Sequence, residues 1–177
     1  MLRNQRDQMH ASHGDGGILA FDAYIYLLKA FAATVPEDAL SSFQAICLGL
    51  FVVKLGLHEQ VLSLGLSTAK EPTGLILFEC FLRFCGVYFA NQWNSNQKMK
   101  NYRFSALDLS AGKLAVRSSS GSTPEAYFVT DEVYTLQTRT EERMNVAASM
   151  KPKLIHDAAH VALVSKLSVA NGELRYG

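Results

Sequence analysis

Long apolar runs are scarce in this chain. The most apolar one, between Gln44 and Lys54, holds only nine uncharged residues, whereas a helix crossing a bilayer needs about twenty. That run reads as a buried helix, and no membrane partner is expected. The opening segment "MLRNQRDQMHASHGDGG" has no apolar stretch of the kind a secretory signal requires. Its two arginines and a serine suit a weak mitochondrial presequence remnant, while Asp7 and Asp15 oppose one, so the expected location is intracellular, with mitochondria suspected. Cysteine is sparse. Cys47, Cys80 and Cys85 are an odd set inside apolar helical stretches, as expected of reduced thiols, and they imply no disulfide framework. A surplus of one charge is also missing, the formal net charge being +1. The glycine-rich pieces "HGDGG" and "SSSGS" lack the Gly-Lys-Ser/Thr ending of a phosphate loop. No internal repeat is visible.

What is present is ordinary globular composition: 177 residues, 49% apolar and 19% charged, enough for one domain with a core. Residues 1–17 are polar, end in Gly14, Gly16 and Gly17, and read as a mobile leader. Residues 18–169 form the domain and 170–177 a tail. From Ile18 a helix places Leu19, Ala23, Tyr26, Leu27 and Ala30 on one face, and Pro36, Glu37 and Asp38 break it. Ser41 or Ser42 caps the next helix, which is apolar nearly all round and therefore central. "HEQVLSLGLS" suits two helical turns. In "EPTGLILFECFLRFCGVYFAN", Pro72 fits a first turn and Glu79 with Arg83 an i,i+4 pair. After Asn91 comes a polar loop, and then "YRFSALDL" and "KLAVRS" around a turn at Ser110–Gly112 suggest a β-hairpin. "EAYFVTDEV" suits a third short strand. From Pro152 a closing helix carries Leu154, Ile155, Ala158, Val161, Ala162 and Leu167 on one face. The expected class is α+β: a mostly helical domain with a small β-hairpin or short antiparallel sheet.

Charge is uneven along the chain. Residues 1–97 carry 6 Lys/Arg against 8 Asp/Glu, and residues 98–177 carry 11 against 8. Within 98–117, Lys98, Lys100, Arg103, Lys113 and Arg117 face only Asp108. Trp93 and Tyr102 can stack on bases while Lys98, Lys100, Arg103 and Arg117 meet phosphates, a combination that binds single-stranded RNA with little sequence preference. The plainer reading is a solvated loop holding one tryptophan.

The order of several short motifs resembles the central helical domain of the terminal nucleotidyltransferase family, the poly(A) polymerases and terminal uridylyltransferases. These motifs are Leu28-Lys29, Leu40-Ser41-Ser42-Phe43, the helix from Gly74 to Gly86, the basic hairpin, Asp131-Glu132, and Asn145-Val146-Ala147 before the last helix. Together they span about residues 20–168. By position in its motif, Lys29 corresponds to a lysine that contacts the triphosphate, Ser42 to a serine that contacts it from a helix N-terminus, and Phe43 to an aromatic that stacks on the base. Asn145 completes this vestigial nucleotide wall. Each has a plainer role: a serine that caps, a lysine that snorkels, a phenylalanine in the core. Ala33 stands where the family has a second lysine, and Met144 where uridine-selecting members have histidine, so uridine selection is not implied.

Nucleotidyl transfer needs two metal ions held by carboxylates, which in the family belong to a separate palm domain with an Asp-x-Asp signature. That signature occurs nowhere in the sequence. The resemblance thus implies a non-catalytic domain without cofactor, acting as a structural or RNA-contacting component of a ribonucleoprotein assembly such as a mitochondrial ribosome, with RNA and protein subunits as partners. The alternative is one half of a split transferase whose palm comes from another chain. "HDAAH" sets His156 and His160 at the i,i+4 spacing of zinc ligands, with Glu173 as the obvious third. Asp157 replaces the glutamate that would act as general base, so a solvated helix face is expected and no metal.

Overall fold

The computed structural model describes residues 2–36, 38–65, 69–93, 105–108, 112–116, 127–129 and 150–170. Five helices make the body: α1 (Leu2–Thr34), α2 (Ser42–Lys54), α3 (Leu57–Ser63), α4 (Gly74–Trp93) and α5 (Pro152–Ala170). Helix α4 packs against α5, α1 and α2, and α1 packs on α2.

Helix α1 starts at Leu2 and not near Ile18, so residues 2–17 are not a loose leader: Gln5 and Met9 are buried. Gly14, at φ 61 and ψ −150, leaves helical geometry, in a region where glycine alone has no steric cost. The chain folds back there. In a straight helix Arg6 and Asp22 would be about 24 Å apart at 1.5 Å per residue, yet Arg6 Nε donates to Asp22 Oδ1 at 2.9 Å and Nη2 to Oδ2 at 3.0 Å. The two legs, residues 2–13 and 15–34, are therefore clipped side by side. By length and composition Leu2–Thr34 is long and apolar enough to cross a membrane, and α2 with α3, bent by 45°, would be a second candidate. The reversal at Gly14 leaves only the second leg of α1 as a continuous rod.

Helix α2 begins with a capping box. Gln44 N donates to Ser41 Oγ at 3.2 Å, and Ser41 N donates to Gln44 Oε1 at 2.9 Å, so the cap is Ser41 and Ser42 is the first helical residue. As its composition predicts, the helix is central: Ala45, Cys47, Leu48, Leu50, Phe51, Val52 and Val53 are all buried. Glycine at position 49 lets α1 approach, because a Cβ there would collide with the Leu28 side chain, and Tyr24 Oη donates to the Gly49 carbonyl at 3.0 Å. Around this crossing Phe31 meets Phe81 edge-on at 5.5 Å, and Phe51 lies 5.7 Å from Phe84. Thr73 Oγ1 accepts from Ile76 N at 3.2 Å, so Thr73 caps α4 and Pro72 lies just outside it. The expected Arg83–Glu79 pair forms at 2.8 Å. Helix α5 is tied back to the α1–α2 connection by Lys151, which pairs with Asp38 and donates its backbone N–H to Ala39 O at 3.1 Å. It buries Ile155 and Ala159, while Val161 is exposed, which rotates its core face from the expected one.

The α+β expectation is corrected. The body is 82% helical with no sheet in it, and the class is all-helical. Outside the body, the short backbone segments Ser105–Asp108 and Lys113–Val116 run antiparallel, and Tyr127–Val129 lies parallel to the first. Leu107 of the first segment joins the core. The class follows because the apolar faces of α1, α2, α4 and α5 close the core on one another.

Candidate functional site

Three of the residues expected in a nucleotide wall lie on the described surface. At 100° per residue, Leu19, Asp22, Ala23, Tyr26, Lys29, Ala30 and Ala33 share one arc of α1, opposite the buried arc of Phe21, Tyr24, Leu28 and Phe31, and all seven are exposed. Leu19 is 70% and Tyr26 72% exposed. The apolar face expected from Leu19, Ala23, Tyr26, Leu27 and Ala30 is thus the outer one except at Leu27, which is half-buried, since α1 is apolar on both sides. Ser42 and Phe43 occupy the first turn of α2, also outside, with Phe43 60% exposed. Phe43 is therefore no core residue, and Ser42 is not the cap. Trp93 belongs to the end of α4, so its backbone is helical where a polar loop is expected. Asn145, Lys98, Lys100, Tyr102, Arg103 and Arg117 lie outside the described residues.

Burial pushes Cys47 up to about 11 and holds Cys85 well above the usual thiol range, and all three cysteines are buried and outside any disulfide. On α5, the His156 and His160 rings lie parallel with centroids 6.5 Å apart. Asp157 beside them is pulled below the usual carboxylate range by Lys153 first and His156 second, so that carboxylate is already engaged with a lysine. Glu173 lies outside the described residues.

The reversal of α1 builds a second place that sequence spacing does not reveal. The first leg of α1 contributes Gln5, Gln8, Met9, Ser12 and His13 to a cavity of about 450 Å³, completed by Val53, Lys54, Gly56, His58 and Glu59 from the α2–α3 junction. Gly56, at φ 69, makes the turn that aims α3 into it. His13 and His58 are 45 positions apart in the sequence, and no local pattern joins them. Burial lowers the pKa of His58, with His13 opposing its protonation and Glu59 favouring it.

Comparison with protein-family models, with characterised proteins and with solved structures finds no match for this chain. The functional reading therefore rests on its motifs and its surface.

Proposed function

We propose that the chain is a palm-less nucleotidyltransferase-like helical domain that serves as a non-catalytic component of a ribonucleoprotein assembly, with a mitochondrial ribosome as one setting. The observation that carries this is the exposure of Leu19 and Tyr26 on the outer arc of α1 and of Phe43 on the first turn of α2. A monomer gains nothing from presenting Leu19, Tyr26 and Phe43 to water, and large exposed apolar patches mark surfaces that meet a partner. In the family that the motifs resemble, the lysine of α1 and the serine and aromatic of α2 face the palm. On this reading that surface meets a protein subunit. The basic strip from Lys98 to Arg117, with Trp93 and Tyr102, supplies the RNA contact.

Affinity purification of the tagged full-length chain, with and without ribonuclease, tests this. It is expected to recover RNA and protein subunits. Leu19→Glu with Tyr26→Glu should abolish protein recovery without changing helicity, since both side chains are already outside the core. Charge reversal at Lys98, Lys100 and Arg103 should make RNA recovery weaker and more salt-sensitive. Recovery of a monomer free of RNA and partners would overturn the assignment. Recovery of a single partner with a carboxylate-bearing palm and nucleotide-adding activity would establish the split enzyme instead.

A further inference from the structure

We propose that His13, His58 and Glu59 are the protein ligands of a divalent cation of the zinc class, which ties the first leg of α1 to the α2–α3 junction. One ligand atom from each of the three lies within 4.8 Å of the other two. A tetrahedral zinc with bonds of about 2.0–2.1 Å spaces its donors about 3.3 Å apart, so the closure needed is within reach of side-chain torsions, above all those of the exposed Glu59.

The second observation is independent of that proximity. Among the described residues, the buried side-chain atoms left with no hydrogen-bond partner are Gln5 Oε1, His13 Nε2 and His58 Nε2, and all three residues line this one cavity. Buried polar atoms without partners are costly and rare in folded proteins. Three around one space, two of them imidazole nitrogens, ask for a group that accepts lone pairs. A cation does so. A hydrogen bond between the two rings would pair both nitrogens, one donating and the other accepting, but it is not made, since each nitrogen is left without a partner.

The donor set of two imidazoles and one carboxylate suits zinc, and with three protein ligands the fourth position is a water facing the cavity. Gln5 Oε1 is placed among the lining groups to accept a hydrogen bond from that water. Lys54 lines the same cavity, and its charge keeps the affinity below that of a four-ligand structural zinc. The site goes beyond the assembly reading and is independent of it, since every readout below uses the isolated full-length chain.

The test is titration of the metal-free full-length chain with Zn²⁺ by calorimetry and with Co²⁺ by visible absorption, alongside thermal melts. One equivalent is expected to bind, with tetrahedral cobalt bands and a higher melting temperature. Glu59→Gln and His13→Gln should each weaken binding by at least the ~10–100-fold that loss of an outer-shell partner alone costs. Glu59 is exposed, so its variant keeps the fold even if a histidine variant does not. His156→Gln with His160→Gln should leave the affinity unchanged. The proposal is overturned if no metal binds the folded chain, if Glu59→Gln binds as tightly as the parent, or if binding disappears with His156 and His160.

Discussion

Two adjacent serines with the same chemistry do different work at the start of α2. Ser41 closes both hydrogen bonds of the capping box, while Ser42 points outward from the first helical position. Ser41→Ala is accordingly expected to cost about 1 kcal/mol, and Ser42→Ala to stay within a few tenths, as urea denaturation of the two variants will measure. Either serine can cap on sequence grounds alone. What decides is Gln44, because the reciprocal bond needs a Glu or Gln three residues after the cap. Phe43 shows the opposite kind of ambiguity. Its type says core and most of α2 is core, yet its angular position on α2 turns it out into water.

Among the elements, α1 carries the largest difference between expectation and structure. Its second leg was legible as a helix because apolar residues recur through it, but so many recur on both sides that periodicity alone could not say which arc is buried. Gly49 decides it: α2 approaches α1 closely where it has no side chain, a Cβ on Gly49 lying only 2.3 Å from Leu28 Cδ1 on the buried arc. The first leg was hidden for a different reason. Its polar residues look like a solvated leader until Arg6 meets Asp22 across the Gly14 reversal. That clip has a pH signature. Asp22 is held below the ordinary carboxylate range by its hydrogen bonds from Arg6, and Asp38 likewise by Lys151. For groups whose folded pKa is depressed, the stabilisation is present above the unfolded pKa near 3.8 and is lost as pH falls through the folded value. The urea midpoint should therefore fall between pH 6 and pH 3, and Arg6→Gln should reduce that fall. The effect is modest, because both partners of the clip are about half exposed and screened by solvent.

For the molecule as a whole, the strongest expectation concerns what it does not catalyse. The isolated chain should add no nucleotide to an RNA primer with magnesium or manganese and any nucleoside triphosphate, because no Asp-x-Asp exists in it to hold two metals. Calorimetry with ATP or UTP should give a dissociation constant no tighter than about millimolar, the few kcal/mol that partly exposed contacts provide. Primer extension that survives repurification would contradict this. The sequence by itself determined the helices that depend on local terms: α2 by its cap and all-round apolarity, α4 by its apolar length and the Glu79–Arg83 pair, and α5 from Pro152. It also determined that the cysteines are buried, since cysteines inside apolar helices are desolvated wherever those helices pack. Only the tertiary structure decided that the class is all-helical, that Leu19 and Tyr26 face outward, and that His13, His58 and Glu59 share one cavity. Those outcomes depend on which surfaces meet. Residues brought together by a chain reversal and a helix crossing leave no spacing in the sequence from which their meeting can be read.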